Sequence, residues 1–557
     1  MTHPAGPTQF KRNHRTCRSL MYRLGRVAAN VVLGGVLLCG CALGRADWVP
    51  PAAPLVVAVA THVPAKTTVW VAPDIPAEVS EAISTRPGLT LSPDPSSSDC
   101  TVEAGPQHQI GLWIYALAAP FDTITDDVSG HAFVDKWRNH SAPFPVGRIQ
   151  VAEADLAFLS SSLGVPDRQS LSIVSGEESL SDPWVSPDIW AIIPFDQLQP
   201  ESKVISIDTA NPVEKQFDPS QYTLSIPLSM QCEPQPSLPS SLGQVTNRDP
   251  VLLTTVILTG TTALVRGTAA YMETKGLTYP DTDVRDVLRE ADFLHVSNEA
   301  AYSPDCPLPW LNPDEERLRF CSAPKYNALL EDIGTDIVEL TGDHLADWRP
   351  EAITYTLDLY RSLGWRYYGG GYNLEDGRKA LLIEHNGNKL AFLGCNAKAP
   401  GYATATASTP GAVHCDFDDL TARIQAVKAE GYIPIVSFQH IEYESYGISP
   451  ALQPDFRRVA DAGAQIVSGS QGHQPQAIEF YNGAFLHYGL GNLFFDQYDQ
   501  GLPTRQAFID RYTFYGGKYI STQLLTTMFT DLAHPRWMTA TERDNLLKTI
   551  FAVSVWQ

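Results

Sequence analysis

The chain has 557 residues, room for two or three domains with separate cores. Its 44% apolar and 18% charged residues are those of a globular protein and exclude a disordered or fibrous one. A formal charge of −22 disfavours nucleic acid, because a body this acidic repels polyanions at long range unless local bases or a metal hold them.

The first 40 residues hold Lys11, Arg12, Arg15, Arg18, Arg23 and Arg26 and no acid, which leaves 34 bases against 62 acids in the rest. The basic stretch leads into VAANVVLGGVLLCG, too short an apolar run to span a bilayer comfortably. The pattern predicts a signal peptide over 1–40. Its end, Leu38-Cys39-Gly40-Cys41, resembles a bacterial lipobox, in which cleavage frees Cys41 to carry a lipid anchor. Residues 41–51 then read as a tether, and the expected location is extracytoplasmic, on the cell membrane.

Export would make the remaining cysteines disulfide candidates. Cys100 and Cys232, Cys306 and Cys321, Cys395 and Cys415 fall into sequential pairs, one choice among many connectivities. They show no metal-binding spacing of the CxxC kind.

Residues 52–232 mix apolar strands such as PLVVAVA and IWAIIPF with amphipathic pieces such as DIPAEVSEAIS, and predict a smaller accessory α/β domain. The run DIWAIIPFDQLQPESKVISID resembles the solute-binding proteins of bacterial transport systems. A Pro- and Ser-rich stretch, 233–249, predicts a linker.

From 250 to 557 the pattern is regular. Strand candidates LLTTVILTG, FLHVSN, DIVELTG, KLAFLGC, YIPIVSFQH, AQIVSGS and AFLHYGLGN alternate with helical stretches, several ending at glycine (Gly334, Gly364, Gly431, Gly463). Residues 497–557 read as a tail packed on this domain. Polar residues gather where the strands run out: Asn298 and Glu299, Asp343 and His344 with Asp347 beyond, His440 with Glu442 and Glu444, Gln471 and His473, and Asn492. In open α/β sheets that edge is where ligands bind. Imidazole and carboxylate together suit Mn, Zn or Fe, and one such histidine alone would mean little. His295, inside its strand, reads as core or as lying on the opposite face.

Residues 252–500 resemble the poly-gamma-glutamate capsule biosynthesis protein CapA family, a branch of the calcineurin-like metallophosphoesterase superfamily. The likeness rests on ADFLHVSNEA, TGDHLADW, FQHIEYES and VSGSQGHQPQAIEFYNGAFLHYGLGNLFFD. It implies a four-layer α/β/β/α sandwich and a metal site. Three positions depart from the family pattern: Thr261 follows Gly260 where a ligating Asp is usual, Asp343 replaces an Asn, and Gln471 replaces a His. The resemblance therefore implies one divalent ion, held by Glu299, Asp343, His344, His440 and His473. It implies Glu444 or Asp347 as general base, Asn492 to orient a ligand oxygen, and Asn298, Thr261 and Gln471 near substrate. The expected partners are an anionic extracellular polymer such as poly-gamma-glutamate and other capsule synthesis or export proteins. Two functions follow: metal-assisted hydrolysis or transfer, or non-catalytic binding of a polymer or solute at the cell surface.

Overall fold

A computed structural model describes residues 67–175, 188–233, 243–311, 318–398, 401, 403–470 and 472–556. The leader, Cys41, the tether and Gln471 lie outside the described residues. The protein is mixed α/β with several sheets. Among the described residues no helix is long and apolar enough to cross a membrane.

The first large sheet has ten strands, all drawn from residues 67–232. Of the stretch read as a linker, Val245, Asn247 and Arg248 are buried rather than free. Val245 bridges to Gly111, and the Asn247 side chain exchanges hydrogen bonds with the backbone of Ile114. The Arg248 guanidinium is buried, donating to the Pro212 and Glu214 carbonyls over the Phe217 ring.

The later residues form two further large sheets. An eight-stranded sheet centres on Leu253–Thr262, flanked on one side by parallel Phe293–Asn298, Ile337–Glu339 and Arg366–Tyr368. A six-stranded sheet centres on parallel Asn388–Asn396, Ile433–Gln439 and Ile466–Gly469. Leu253–Thr262 is buried along its whole length, and its side chains alternate between two cores, as the period of a strand requires. Val256 and Leu258 pack with Phe392, Ile435 and Ile466 of the six-stranded sheet. Ile257 packs on the opposite side with Ile353, Leu357 and Tyr360 of the helix Pro350–Leu363. The outer face of the six-stranded sheet, through Leu393, Val436 and Val467, covers helices Phe417–Ala429 and Leu452–Asp461. Each such fully buried aliphatic or aromatic side chain contributes about 1.5–3 kcal/mol.

Two sequence expectations fail here for identifiable reasons. The run 484–492 is two strands, not one: Ala484–His487 lies in the six-stranded sheet and Asn492–Phe494 in the eight-stranded sheet. The chain changes sheets at Gly491, whose φ is 86° and whose carbonyl oxygen would lie 1.9 Å from a Cβ at Gly260. Only glycines allow that approach. Residues 497–557 are not an appended tail either. Gln506–Tyr515 and Lys518–Phe529 are long central strands of the eight-stranded sheet, and Ala540–Phe551 starts at a Thr539–Glu542 capping box and buries Leu546, Leu547 and Ile550. The four glycines expected to end helices all have positive φ. The disulfides Cys100–Cys232, Cys306–Cys321 and Cys395–Cys415 follow the sequential pairing.

Arg543, on the last helix, meets Asp126 of the first sheet region with two nearly parallel hydrogen bonds of 2.6 and 2.8 Å, and Lys203 adds a contact of 2.7 Å. Burial pushes the Asp126 carboxyl up, but Arg543 and Lys203 outweigh it and hold it down to about 2. A depressed carboxylate stabilises the fold above its usual pKa and loses that contribution as pH falls through the folded value. Asp126 is 47% exposed, so solvent screens the pair. Arg543→Met should therefore lower unfolding free energy by only about 1 kcal/mol near neutrality, and the gap between variant and wild type should close in urea melts taken from pH 4 down toward pH 2.

Candidate metal centre

Six parallel strands, three from each sheet, end at a common edge, and the turns that follow them supply the polar groups. Glu299 directly follows Phe293–Asn298. Asp343 and His344 follow Ile337–Glu339 across Gly342, where a Cβ would sit 2.8 Å from the Glu299 Cα. That glycine lets the second turn close onto the first.

Glu299, Asp343 and His344 can each place one ligand atom within 4.8 Å of the others, and among the described residues they form the one such acidic and imidazole group. Glu299 and Asp343 are almost wholly buried. The His344 ring packs on Phe320, and its Nδ1 lies 2.6 Å from Asp347 Oδ2. The same Asp347 oxygen accepts from the Phe320 N–H at 2.9 Å, so the carboxylate is itself fixed. The arrangement leaves Nε2 toward Asp343, 4.0 Å from Oδ1. A carboxylate holding the far nitrogen of a histidine is the usual support for a metal ligand.

Asp343 is held from the other sheet as well. Gln439 Nε2 donates to Oδ1 at 2.6 Å and Lys398 Nζ to Oδ2 at 2.6 Å. Burial raises the His344 cost of charge, yet the Asp347 hydrogen bond and the carboxylates of Glu299, Asp343 and Asp347 push its pKa up to about 9. Burial would raise Asp343, but His344 and Lys398 beside it bring it below the usual carboxylate value. Two carboxylates and one oriented imidazole fit a single divalent ion of the Mn, Zn or Fe type.

The ligand set expected from the sequence contracts accordingly. His440 is not part of it: Nε2 pairs with Asp455 of the helix Leu452–Asp461 at 2.9 Å, and Nδ1 accepts from the Ile441 N–H at 2.8 Å, so both nitrogens are committed to protein. His473 also stands outside the group. Its Nδ1 lies 2.8 Å from Asn492 Oδ1, and its ring packs on Phe495. It lines a cleft of about 420 Å³ with Glu442, Tyr443, Glu444, Gln474, Gln497 and Gln500.

Other assignments change too. Asp347 is a positioning group for His344 rather than a base facing solvent. Asn492 serves His473, donating to its carbonyl at 3.0 Å as well as meeting its ring. Thr261 is buried with its hydroxyl on the Ser470 carbonyl at 2.6 Å, and Asn298 is buried with its amide on the Ala300 carbonyl and the Tyr360 hydroxyl, so neither reaches substrate. Glu444 is exposed on the cleft, where a base could act. His295 is core, hydrogen-bonded to Tyr368.

The sequence reading missed Lys398 and Gln439. Lys398 lies two residues beyond Asn396, the end of its strand, so the strand-end rule that picked out Glu299 would have found it had the run been followed past Cys395. Gln439 is the last residue of its strand, but an amide carries no charge or metal-ligand signal. Asp347→Asn should leave the fold intact and weaken binding of Mn²⁺ or Zn²⁺ by about ten- to a hundred-fold in calorimetric titration, because His344 loses the partner that fixes its tautomer.

A family model described as the bacterial capsule synthesis protein PGA_cap matches residues 255–497. The PGA biosynthesis protein CapA of Bacillus subtilis (strain 168) is 28% identical over 171 residues, covering 30% of this chain and 45% of that relative. The capsule biosynthesis protein CapA of Bacillus anthracis is 26% identical over 172 residues, covering 30% and 42%. The chain thus spans less than half the length of these curated relatives. Among solved structures, an ABC-type phosphate transport receptor from Vibrio cholerae covers 31% of this chain and 89% of its own at 11% identity, with a TM-score of 0.26. The NAD nucleotidase NadN of Haemophilus influenzae covers 55% and 57% at 9% identity, with a TM-score of 0.28. Overlays that loose carry no argument. The sequence matches do: over residues 255–497 this chain is similar to the bacterial capsule synthesis proteins, the CapA proteins among them.

Proposed function

We propose that this is an extracytoplasmic lipoprotein of the CapA type, anchored through Cys41, that acts on an anionic extracellular polymer such as poly-gamma-glutamate by metal-assisted hydrolysis or transfer. On this reading residues 250–557 are a four-layer α/β/β/α sandwich, residues 52–232 an accessory domain, and the partners are the polymer and other capsule synthesis or export proteins. Three successive apolar clusters, helix on sheet, sheet on sheet and sheet on helix, support the layering.

The observation that carries the functional reading is the meeting of Glu299, Asp343 and His344, with His344 held from behind by Asp347. A divalent ion bound there would supply Lewis-acid polarisation of a phosphoryl or acyl oxygen. The protein's own groups do the rest. Asp347 keeps the proton on His344 Nδ1 and so presents Nε2 to the ion. Asn492 fixes the His473 ring at the wall of the cleft. Glu444, solvated on the same wall, takes the proton of an attacking water or hydroxyl. The three glutamine amides of the cleft, Gln474, Gln497 and Gln500, offer hydrogen bonds to a chain of amides or hydroxyls.

Metal analysis of the purified chain should find Mn, Zn or Fe near one equivalent, with turnover of a phosphodiester reporter or shortening of the polymer. His344→Ala should lose both ion and turnover. Glu444→Gln should keep the ion and lower kcat by about a hundred-fold or more. A chain that retains the ion and binds polymer without turning it over would establish the non-catalytic alternative. A chain that takes up no ion would end the metal reading.

A further inference from the structure

We propose that the Lys398 ammonium is a built-in cation of this centre, fixed between Asp343 and Glu442, that limits the centre to one divalent ion. The inference rests on the reading of Glu299, Asp343 and His344 as a metal site.

Lys398 is not an ordinary surface lysine. Its side chain is 14% exposed, and Nζ lies 2.6 Å from Asp343 Oδ2 and 2.9 Å from Glu442 Oε1, carboxylates from turns that follow different sheets. Its backbone is set just as firmly. The Lys398 N–H donates to Asn396 Oδ1 at 2.9 Å, and the Asn396 amide donates to the Thr341 carbonyl and to Gln439 Oε1. The neighbouring Cys395 is bonded to Cys415. A lysine whose stem and main chain are both placed presents a fixed charge.

That charge divides Asp343 into two sides. Oδ1 faces His344 and, with two lone pairs, can accept from Gln439 and still ligate an ion. Oδ2 faces Lys398. A second ion bridged by Asp343 would have to occupy the same side as the ammonium, and two cations a few ångströms apart repel strongly in a buried setting. Nor do the neighbouring groups compensate. Glu442 is already neutralised by Lys398, the Thr261 hydroxyl is bound to Ser470, and the His440 nitrogens are bound to Asp455 and Ile441.

The test is calorimetric titration of the chelator-stripped full chain with Mn²⁺ and with Zn²⁺, checked by elemental analysis after dialysis, for wild type, Lys398→Met and Lys398→Arg. Melting curves establish that each variant is folded. The inference expects one ion in wild type and in Lys398→Arg. In Lys398→Met it expects either a second equivalent or a first ion bound about ten-fold or more tighter. One ion at unchanged affinity in Lys398→Met overturns the inference and leaves the metal centre standing. If wild type takes up none, the metal reading of the native chain fails; uptake gained by Lys398→Met alone would still support the blocking cation, and uptake by neither protein overturns both.

Discussion

The Asp343 carboxylate joins the two halves of the C-terminal fold at the edge where their chemistry lies. It stands at the end of a strand in the eight-stranded sheet, beside Glu299 and His344. It receives its hydrogen bonds from Gln439 and Lys398, which the six-stranded sheet supplies. A buried carboxylate is costly unless its charge is compensated and its lone pairs are used. Here compensation comes from both sheets at once, so the relative placement of the sheets and the geometry of the centre are one constraint. A one-residue slip in the register of the strand before Asp343 or of the strand ending at Gln439 would turn its side chains to the opposite face and part Asp343 from these partners.

Polar groups continue inward from that edge instead of stopping at it. His295 Nε2 meets the Tyr368 hydroxyl at 2.7 Å, and Tyr368 meets Ser437 at 2.5 Å, linking a strand of one sheet to a strand of the other through the apolar layer between them. Burial pushes His295 down to about 3 and raises the neighbouring Glu339 carboxyl, which Thr341 contacts at 2.5 Å. His295 is thus neutral at ordinary pH, and burial favours the neutral form of Glu339 against the hydroxyls that hydrogen-bond its carboxyl. The members of this network line up beneath the centre through Thr341 and Ser470, the latter also receiving the Thr261 hydroxyl.

How much of this could be read from the chain depends on what each signal encodes. Alternating apolar strands and helices fix which segments are buried, and strand ends in parallel sheets fix the edge, so Glu299, Asp343 and His344 were legible as one group. The direction of a side chain is not encoded by its position at an edge. His440 has the right residue type in the right place, yet its ring turns to Asp455, a helix residue whose approach only the packed fold determines. The break at Gly491 was invisible for a related reason. Apolar alternation runs straight through it, and the switch of sheets depends on contact with Gly260, far away in sequence. Gln506–Tyr515 and Lys518–Phe529 lie in the stretch read as a tail, and Asp510, Arg511 and Gln523 interrupt their apolar pattern. Asp510 is nevertheless buried against His487 at 2.6 Å, and Arg511 against Glu290 at 3.0 Å, so these polar residues are paired inside the structure. The sequential disulfides were accessible from spacing, although Cys100 and Cys232, 132 residues apart, come together only because their strands pair in register.

Charge gives the centre its place in the whole molecule. Beyond residue 40 the chain carries 34 bases against 62 acids, so any anionic polymer would meet repulsion over most of the approach. The cleft beside the centre adds Glu442 and Glu444 to that field and contributes amides rather than bases. Against this background the cations at the strand ends act locally, within the roughly 8–10 Å over which salt leaves them unscreened. Lys398 alone cannot reverse the sign, since Asp343 and Glu442 already claim it. A divalent ion on Glu299, Asp343 and His344 would reduce the negative charge of a cluster whose carboxylates, Asp347 and Glu442 included, outnumber its cations. On this reading an ion held there would also ease the repulsion that the surrounding carboxylates set against an anion. Selectivity would then come from the amide-lined wall, which distinguishes chains by their hydrogen-bonding groups, while the surrounding acidity keeps polyanions from adhering anywhere else.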